Sequence, residues 1–140
     1  MVIISFLVKL RPFESPLLKE KQLKPGDEVI TSAYTYSASA SVIHHVGAKI
    51  ILVDTAKDSF HLGYEQLGTA ITKKTKAVIP VDIGGVMCDY DRIYEVVDCK
   101  KSLFNPVNEI QKAIGRVAVI ADAAHSFGAI YKGRKSGEAA

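Results

Sequence analysis

Residues 116–125 read RVAVIADAAH. Five apolar residues in a row, Val117-Ala118-Val119-Ile120-Ala121, end in a carboxylate, Asp122, and an imidazole, His125, follows three residues later. A strand with one wet face alternates polar and apolar residues. A short unbroken apolar run of this kind is covered on both faces. Three more runs carry the same signature: EVIT at 28–31, KIILVD at 49–54 and KAVIPV at 76–81. Helical patterns separate them. Ser37 to Val46 places Val42, Ile43 and Val46 at helical spacing, with Gly47 as a stop signal. Tyr64 to Ile71 and Asp89 to Asp98 follow, the second with Ile93, Val96 and Val97 on one side and Asp89 as its cap. Asn105-Pro106 reads as a further start, Asn capping and Pro at the first helical position, with Val107, Ile110, Ala113 and Ile114 as the apolar stripe. Strand and helix in alternation predict βαβ units, hence an α/β fold: three αβα layers around a mostly parallel sheet.

The composition agrees with that class. The chain has 140 residues, 48% hydrophobic and 24% charged, enough for one domain with a real core. The net charge of +3 is not concentrated in a basic tract, so nucleic acid is not an expected partner. No apolar run approaches the roughly 18 residues a membrane span needs, so no membrane partner is expected either. Cys88 and Cys99 form neither a C-x-x-C pair nor a disulfide framework, which fits a reduced, cytoplasmic setting. The opening MVIISFLVKLRP has no basic residue before its apolar patch and no small-residue cleavage site after it, and is not read as a signal peptide. His44 and His45 lack a Cys or carboxylate cluster at ligand spacing, so no metal site is expected.

In a parallel sheet, ligands gather at the carboxyl ends of the strands. Asp122 falls there. So do Thr31 with Tyr34 and Tyr36, Asp54, and Asp82 with Gly84 and Gly85. Taken alone, Asp122 reads equally well as a ligand group and as the cap of a following helix.

Three blocks taken together resemble one family. LKPGDEVITSAYTYSASASVIHHVGAKIILVD, TKAVIPVDIGGVMCDYDRI and VIADAAHSFGAIYKGRKSG are similar, in order and spacing, to the DegT/DnrJ/EryC1/StrS family. Its members are pyridoxal-phosphate (PLP) sugar aminotransferases of the aspartate-aminotransferase fold. The resemblance runs from Leu23 to Gly137 and implies that 23–140 is part of a PLP-transferase large domain, with 1–22 an atypical N-terminal segment. It implies cofactor-binding roles for three residues. Asp122 would pair with the pyridine nitrogen, whose protonation makes PLP an electron sink. His125 would sit near the ring's 3-oxygen. Tyr36 would stack on the ring, with Tyr34, two residues earlier, the lesser candidate. Asp82 stands where many relatives carry His, and no catalytic role is assigned to it. The stretch VVDCKKSLFNPVNEIQKAIGR resembles a subgroup insertion.

The resemblance also implies departures. The family's Schiff-base lysine belongs to a block after the YKGRKSG hairpin, and Lys132 and Lys135 do not match it. No catalytic residue is therefore assigned. The Gly/Ser/Thr turn that holds the PLP phosphate has no counterpart in 1–22, where LLKEKQ resembles only the tail of the family's helix. We thus expect a fragment that binds PLP weakly or not at all and is inactive alone. The family's activity would be transfer of an amino group from glutamate to a nucleotide-activated keto-sugar, for surface polysaccharide or glycoside biosynthesis, by a homodimer. Alternatives are a fragment of a sugar dehydratase of the same family, in which histidine replaces the lysine, and a non-catalytic remnant or interaction domain. A generic Rossmann-like nucleotide binder is disfavoured, since no G-x-G-x-x-G follows a strand.

Overall fold

A computed structural model describes residues 23–138; the N-terminal segment 1–22 lies outside the described residues. Four parallel strands, β1 (Glu28–Ser32), β2 (Lys49–Val53), β3 (Thr75–Ile79) and β4 (Ala118–Val119), form one sheet in the order β2-β1-β3-β4. The helices are α1 (Ser37–His45), α2 (Tyr64–Ala70), α3 (Tyr90–Cys99) and α4 (Glu109–Ile114).

Successive strand residues point to opposite faces, and the core divides accordingly. Val29, Ala77, Ile79, Ala118 and Ile120 pack with Val42 and Ile43 of α1 and, partly buried, Ile114 of α4. Ile30, Val53, Val78, Val117 and Ala121 pack with Leu67 of α2 and with Tyr90, Ile93 and Val97 of α3. The expected three-layer αβα arrangement is what the chain adopts. β1 and β3 are buried along their whole length. β2 is not: it lies at the sheet's edge, and its Leu52 is 59% exposed. Its unbroken apolar character thus overstated its burial.

Local chemistry sets the helix ends. Asp89 caps α3, as expected, by accepting from the Arg92 amide at 3.3 Å. The start read at Asn105-Pro106 is corrected. The helix begins at Glu109, where the side chain of Asn108 accepts from the Gln111 amide at 2.8 Å. The upstream Val107 amide instead donates to the Gln111 side chain at 3.0 Å, which holds that segment outside the helix. The expected stripe is corrected with it, since Val107, Ile110 and Ala113 are exposed and only Ile114 packs on the sheet.

Beyond its two assigned residues, β4 keeps pairing with the chain that follows β3. Ile120 donates to Val78 O at 3.0 Å, Asp122 to Pro80 O at 2.9 Å, and Asp82 to Asp122 O at 3.0 Å. This carries Asp122 to the carboxyl end of the sheet, as read from sequence. A hairpin follows, β5 (Ile130–Tyr131) and β6 (Arg134–Lys135), turned by Lys132 and Gly133 with φ of 49° and 77°. Two consecutive positive φ values define the tight turn that suits strand twist. Asp91 of α3 clamps the hairpin, accepting from Lys132 Nζ and Arg134 Nη2, each at 2.6 Å.

Candidate functional site

Asp122 is 8% exposed. Its Oδ2 accepts from Ser39 Oγ at 2.6 Å, across 83 residues of sequence. Among the described residues its Oδ1 receives only a long contact, from the Ala124 amide at 3.3 Å. Among the described residues no lysine, arginine or histidine forms an ion pair with it. An ionised carboxylate has room for about four donors, and a buried charge normally has a partner. Asp122 therefore offers an underused acceptor at the strand ends, suited to a cationic N–H donor.

Ser39 lies in the first turn of α1, whose N-cap is Tyr36. The Ser39–Asp122 bond thus brings the start of α1 to the end of β4. Tyr36 is 70% exposed, and among the described residues its ring stacks on no other aromatic. Tyr34 is committed elsewhere, its ring stacked on Phe60 with centroids 5.3 Å apart. Of the two tyrosines, Tyr36 keeps the freer ring face. His125 is exposed, in the loop between Asp122 and the hairpin. Gly84 and Gly85, both at positive φ, turn the facing loop, and a Cβ on Gly85 would stand 3.8 Å from the His125 carbonyl. Thr31 is buried and spends its hydroxyl on Ile79 O at 2.9 Å. Asp54 is exposed and binds the next amide at 2.8 Å.

Sequence reasoning placed Asp82 at a strand end, without a catalytic role, but missed how it holds this edge together. Asp82 is fully buried. Its Oδ1 accepts from the Cys88 amide at 2.9 Å and from Tyr90 Oη at 3.0 Å, and its Oδ2 accepts from Ser126 Oγ at 2.8 Å. Ser126 also meets Ser136 Oγ at 2.6 Å. One carboxylate thus ties the end of β3, the start of α3 and the loop after Asp122, and through Ser126 it reaches the residue following β6. Burial first, then the Asp82 carboxylate, pushes the Tyr90 phenol and the Cys88 thiol far up, so both stay protonated. Ser39, Thr35 and Ser126 carry no sequence signal of their own, because small hydroxyl residues are common at turns and helix starts. Among the described residues no group of three or more His, Cys, Asp or Glu could hold a metal, and no helix is long and apolar enough to cross a membrane.

The sequence profile of the DegT/DnrJ/EryC1/StrS aminotransferase family matches residues 16–140. The chain is 42% identical over 112 residues to UDP-2-acetamido-2-deoxy-3-oxo-D-glucuronate aminotransferase of Pseudomonas aeruginosa, covering 80% of this chain and 27% of that protein. It is 41% identical over 113 residues to GDP-perosamine synthase of Caulobacter vibrioides, covering 81% of this chain and 26% of that protein. Among solved structures it resembles the PLP form of Spr1654 of Streptococcus pneumoniae, assigned as a sugar aminotransferase. There the TM-score is 0.85 at 47% identity, over 87% of this chain and 31% of that one. The chain therefore spans between about a quarter and a third of the length of these relatives.

Proposed function

Because this chain belongs to the DegT/DnrJ/EryC1/StrS aminotransferase family, we propose that it forms the ring-holding part of a PLP-dependent nucleotide-sugar aminotransferase. One observation carries the reading: Asp122, nearly enclosed at the strand ends, has no cationic partner among the described residues and an Oδ1 with acceptor capacity to spare. A protonated pyridine nitrogen is a donor of the kind this carboxylate lacks. When bound, PLP supplies an electron sink for the substrate carbon that bears the amino group. Asp122 would hold the ring-nitrogen proton, Tyr36 would cover one ring face and exclude water, and His125 would stand toward the ring's 3-oxygen. Asp82 would keep the loop carrying His125 in place and take no part in the chemistry.

The whole protein, on this reading, moves an amino group from glutamate to a keto group on a nucleotide-activated sugar for polysaccharide or glycoside biosynthesis. The names of the Pseudomonas and Caulobacter relatives support that substrate class. Lys132 is held by Asp91 on the hairpin and, with Lys135, is given no role in the reaction.

The ring contacts set the affinity expected of these 140 residues. A charge-assisted bond at Asp122 contributes about 1.5–3 kcal/mol, and a stacked ring about 0.5–1.5 kcal/mol. Their sum of about 2–4.5 kcal/mol corresponds to a Kd of about 1 mM at its strong end and weaker below it. The test is a titration of the wild-type chain and Asp122→Asn with pyridoxamine phosphate (PMP), which forms no Schiff base with surface lysines. Ring absorbance and the 15N shift of the ring nitrogen report binding and protonation. Wild type is expected to bind at least about tenfold tighter and to keep the nitrogen protonated. Equal affinity and equal nitrogen shifts in the two proteins refute the role of Asp122.

A further inference from the structure

The Ser39–Asp122 bond continues into a third hydroxyl. Thr35 Oγ1 lies 2.8 Å from Ser39 Oγ. An ionised carboxylate only accepts, so Ser39 must donate its proton to Asp122. The Ser39 oxygen can then only accept from Thr35. The chain of donors runs one way, Thr35 to Ser39 to Asp122, each dipole aimed at the carboxylate. Ser39 is 2% exposed, so water does not easily replace it. Its place in the first turn of α1 also sets the carboxylate against the positive end of a nine-residue helix. The bond takes Oδ2, which leaves Oδ1, with its long contact from the Ala124 amide, as the freer acceptor.

We infer that Ser39, backed by Thr35, is a positioning residue that keeps the Asp122 carboxylate turned so that Oδ1 meets the ring nitrogen of the cofactor. The inference rests on the proposed cofactor role of Asp122 and goes beyond it, for it predicts an effect specific to one ligand atom. Removing the Ser39 hydroxyl frees Oδ2, lets the carboxylate rotate, and weakens its hold on the ring-nitrogen proton. Of the proposed ring contacts, the Ser39 hydroxyl bonds Asp122 and neither Tyr36 nor His125.

The experiment compares PMP with its analogue in which C–H replaces the ring nitrogen. Both are titrated by NMR into the wild-type chain, Asp122→Asn, Ser39→Ala, Ser39→Thr and Thr35→Val. Wild type prefers PMP to the analogue, and Asp122→Asn abolishes the preference. Ser39→Ala is expected to reduce that preference about tenfold, since one hydrogen bond to a charged group is lost. Ser39→Thr, which restores the hydroxyl, recovers it. Thr35→Val, of nearly the same shape, gives a smaller loss of the same kind and serves if Ser39→Ala does not fold. A structural effect of Ser39 alone would weaken both compounds equally and overturns the inference, as does an unchanged preference in Ser39→Ala and Thr35→Val. A wild-type chain with no preference, or with no binding of either compound, refutes the cofactor reading and this inference with it.

Discussion

Asp82 gives the sharpest energetic test, because its three donors can be counted. In Asp82→Ala the Cys88 amide and the Tyr90 hydroxyl lose their acceptor inside the core, where both residues are fully buried. Each orphaned buried donor costs about 1–3 kcal/mol. Ser126 fares better, since it can turn to Ser136 Oγ at 2.6 Å or to Ala123 O at 3.4 Å. Removing a buried carboxylate also relieves its desolvation, which offsets part of the loss. The net expectation is a loss of about 3 kcal/mol. Asp82→Asn differs in kind. Its carbonyl oxygen still accepts from Cys88 and Tyr90, and its amide can donate to Ser126 Oγ while Ser126 donates to Ser136. That variant is expected to lose only about 1 kcal/mol. Urea unfolding at neutral pH, followed by circular dichroism, measures both. An Asp82→Ala loss below about 1 kcal/mol, or an Asp82→Asn loss as large as that of Asp82→Ala, refutes the view of Asp82 as an acceptor hub.

The hairpin clamp is acid-sensitive. Hydrogen bonds from Lys132, then Arg134, hold the Asp91 carboxyl below its ordinary range. A carboxyl depressed in the fold stabilises above its unfolded-state value, and that support is lost as pH falls through the folded-state value. Protection factors over residues 130–135, that is exchange corrected for its intrinsic slowing in acid, should therefore fall in acid in wild type, and Asp91→Asn should show low protection throughout with its acid dependence gone. A wild-type hairpin with flat protection across that range rules out the clamp. The cysteines should separate by reactivity: Cys88 is buried with its thiol pushed up, whereas Cys99 is exposed. A disulfide reagent at mild alkaline pH is expected to modify Cys99 alone until denaturant is added, and rapid modification of Cys88 in the native chain would contradict its burial.

The layers were legible in the sequence because they rest on composition over whole segments. Four Val- and Ile-rich runs and the helical stripes around Val42 and Ile93 specify which faces must be covered, whatever the details of the turns. Burial of β2 was misjudged because an apolar run does not reveal whether a strand is central or at an edge. Asn105 and Asn108 are both acceptable caps, and the competition was decided by the Gln111 side chain capturing the Val107 amide, a contact that no local preference encodes. At the site, Asp122 could be placed by the strand that ends in it. Ser39 could not, because its importance arises from a contact 83 residues away.

The sequence also places two acids at neighbouring strand ends without distinguishing them. Asp82 and Asp122 are joined by a backbone hydrogen bond, Asp82 N–H to Asp122 O, and both side chains are nearly or fully enclosed. Among the described residues neither has a cationic partner. Acceptor accounting separates them. Asp82 receives three bonds of 2.8–3.0 Å from the protein itself and is internally satisfied. Among the described residues Asp122 receives one short bond at 2.6 Å and one long contact at 3.3 Å, which leaves acceptor capacity at Oδ1. A carboxylate that the fold satisfies serves the fold. A carboxylate with acceptor capacity left over can take a donor from a ligand. The same accounting predicts that ring-cofactor binding stabilises the wild-type chain but not Asp122→Asn, while an Asp82 variant that folds keeps the response. PMP-dependent shifts in the urea midpoint of the three proteins decide it, and a shift retained in Asp122→Asn and lost in Asp82→Asn would reverse the two roles.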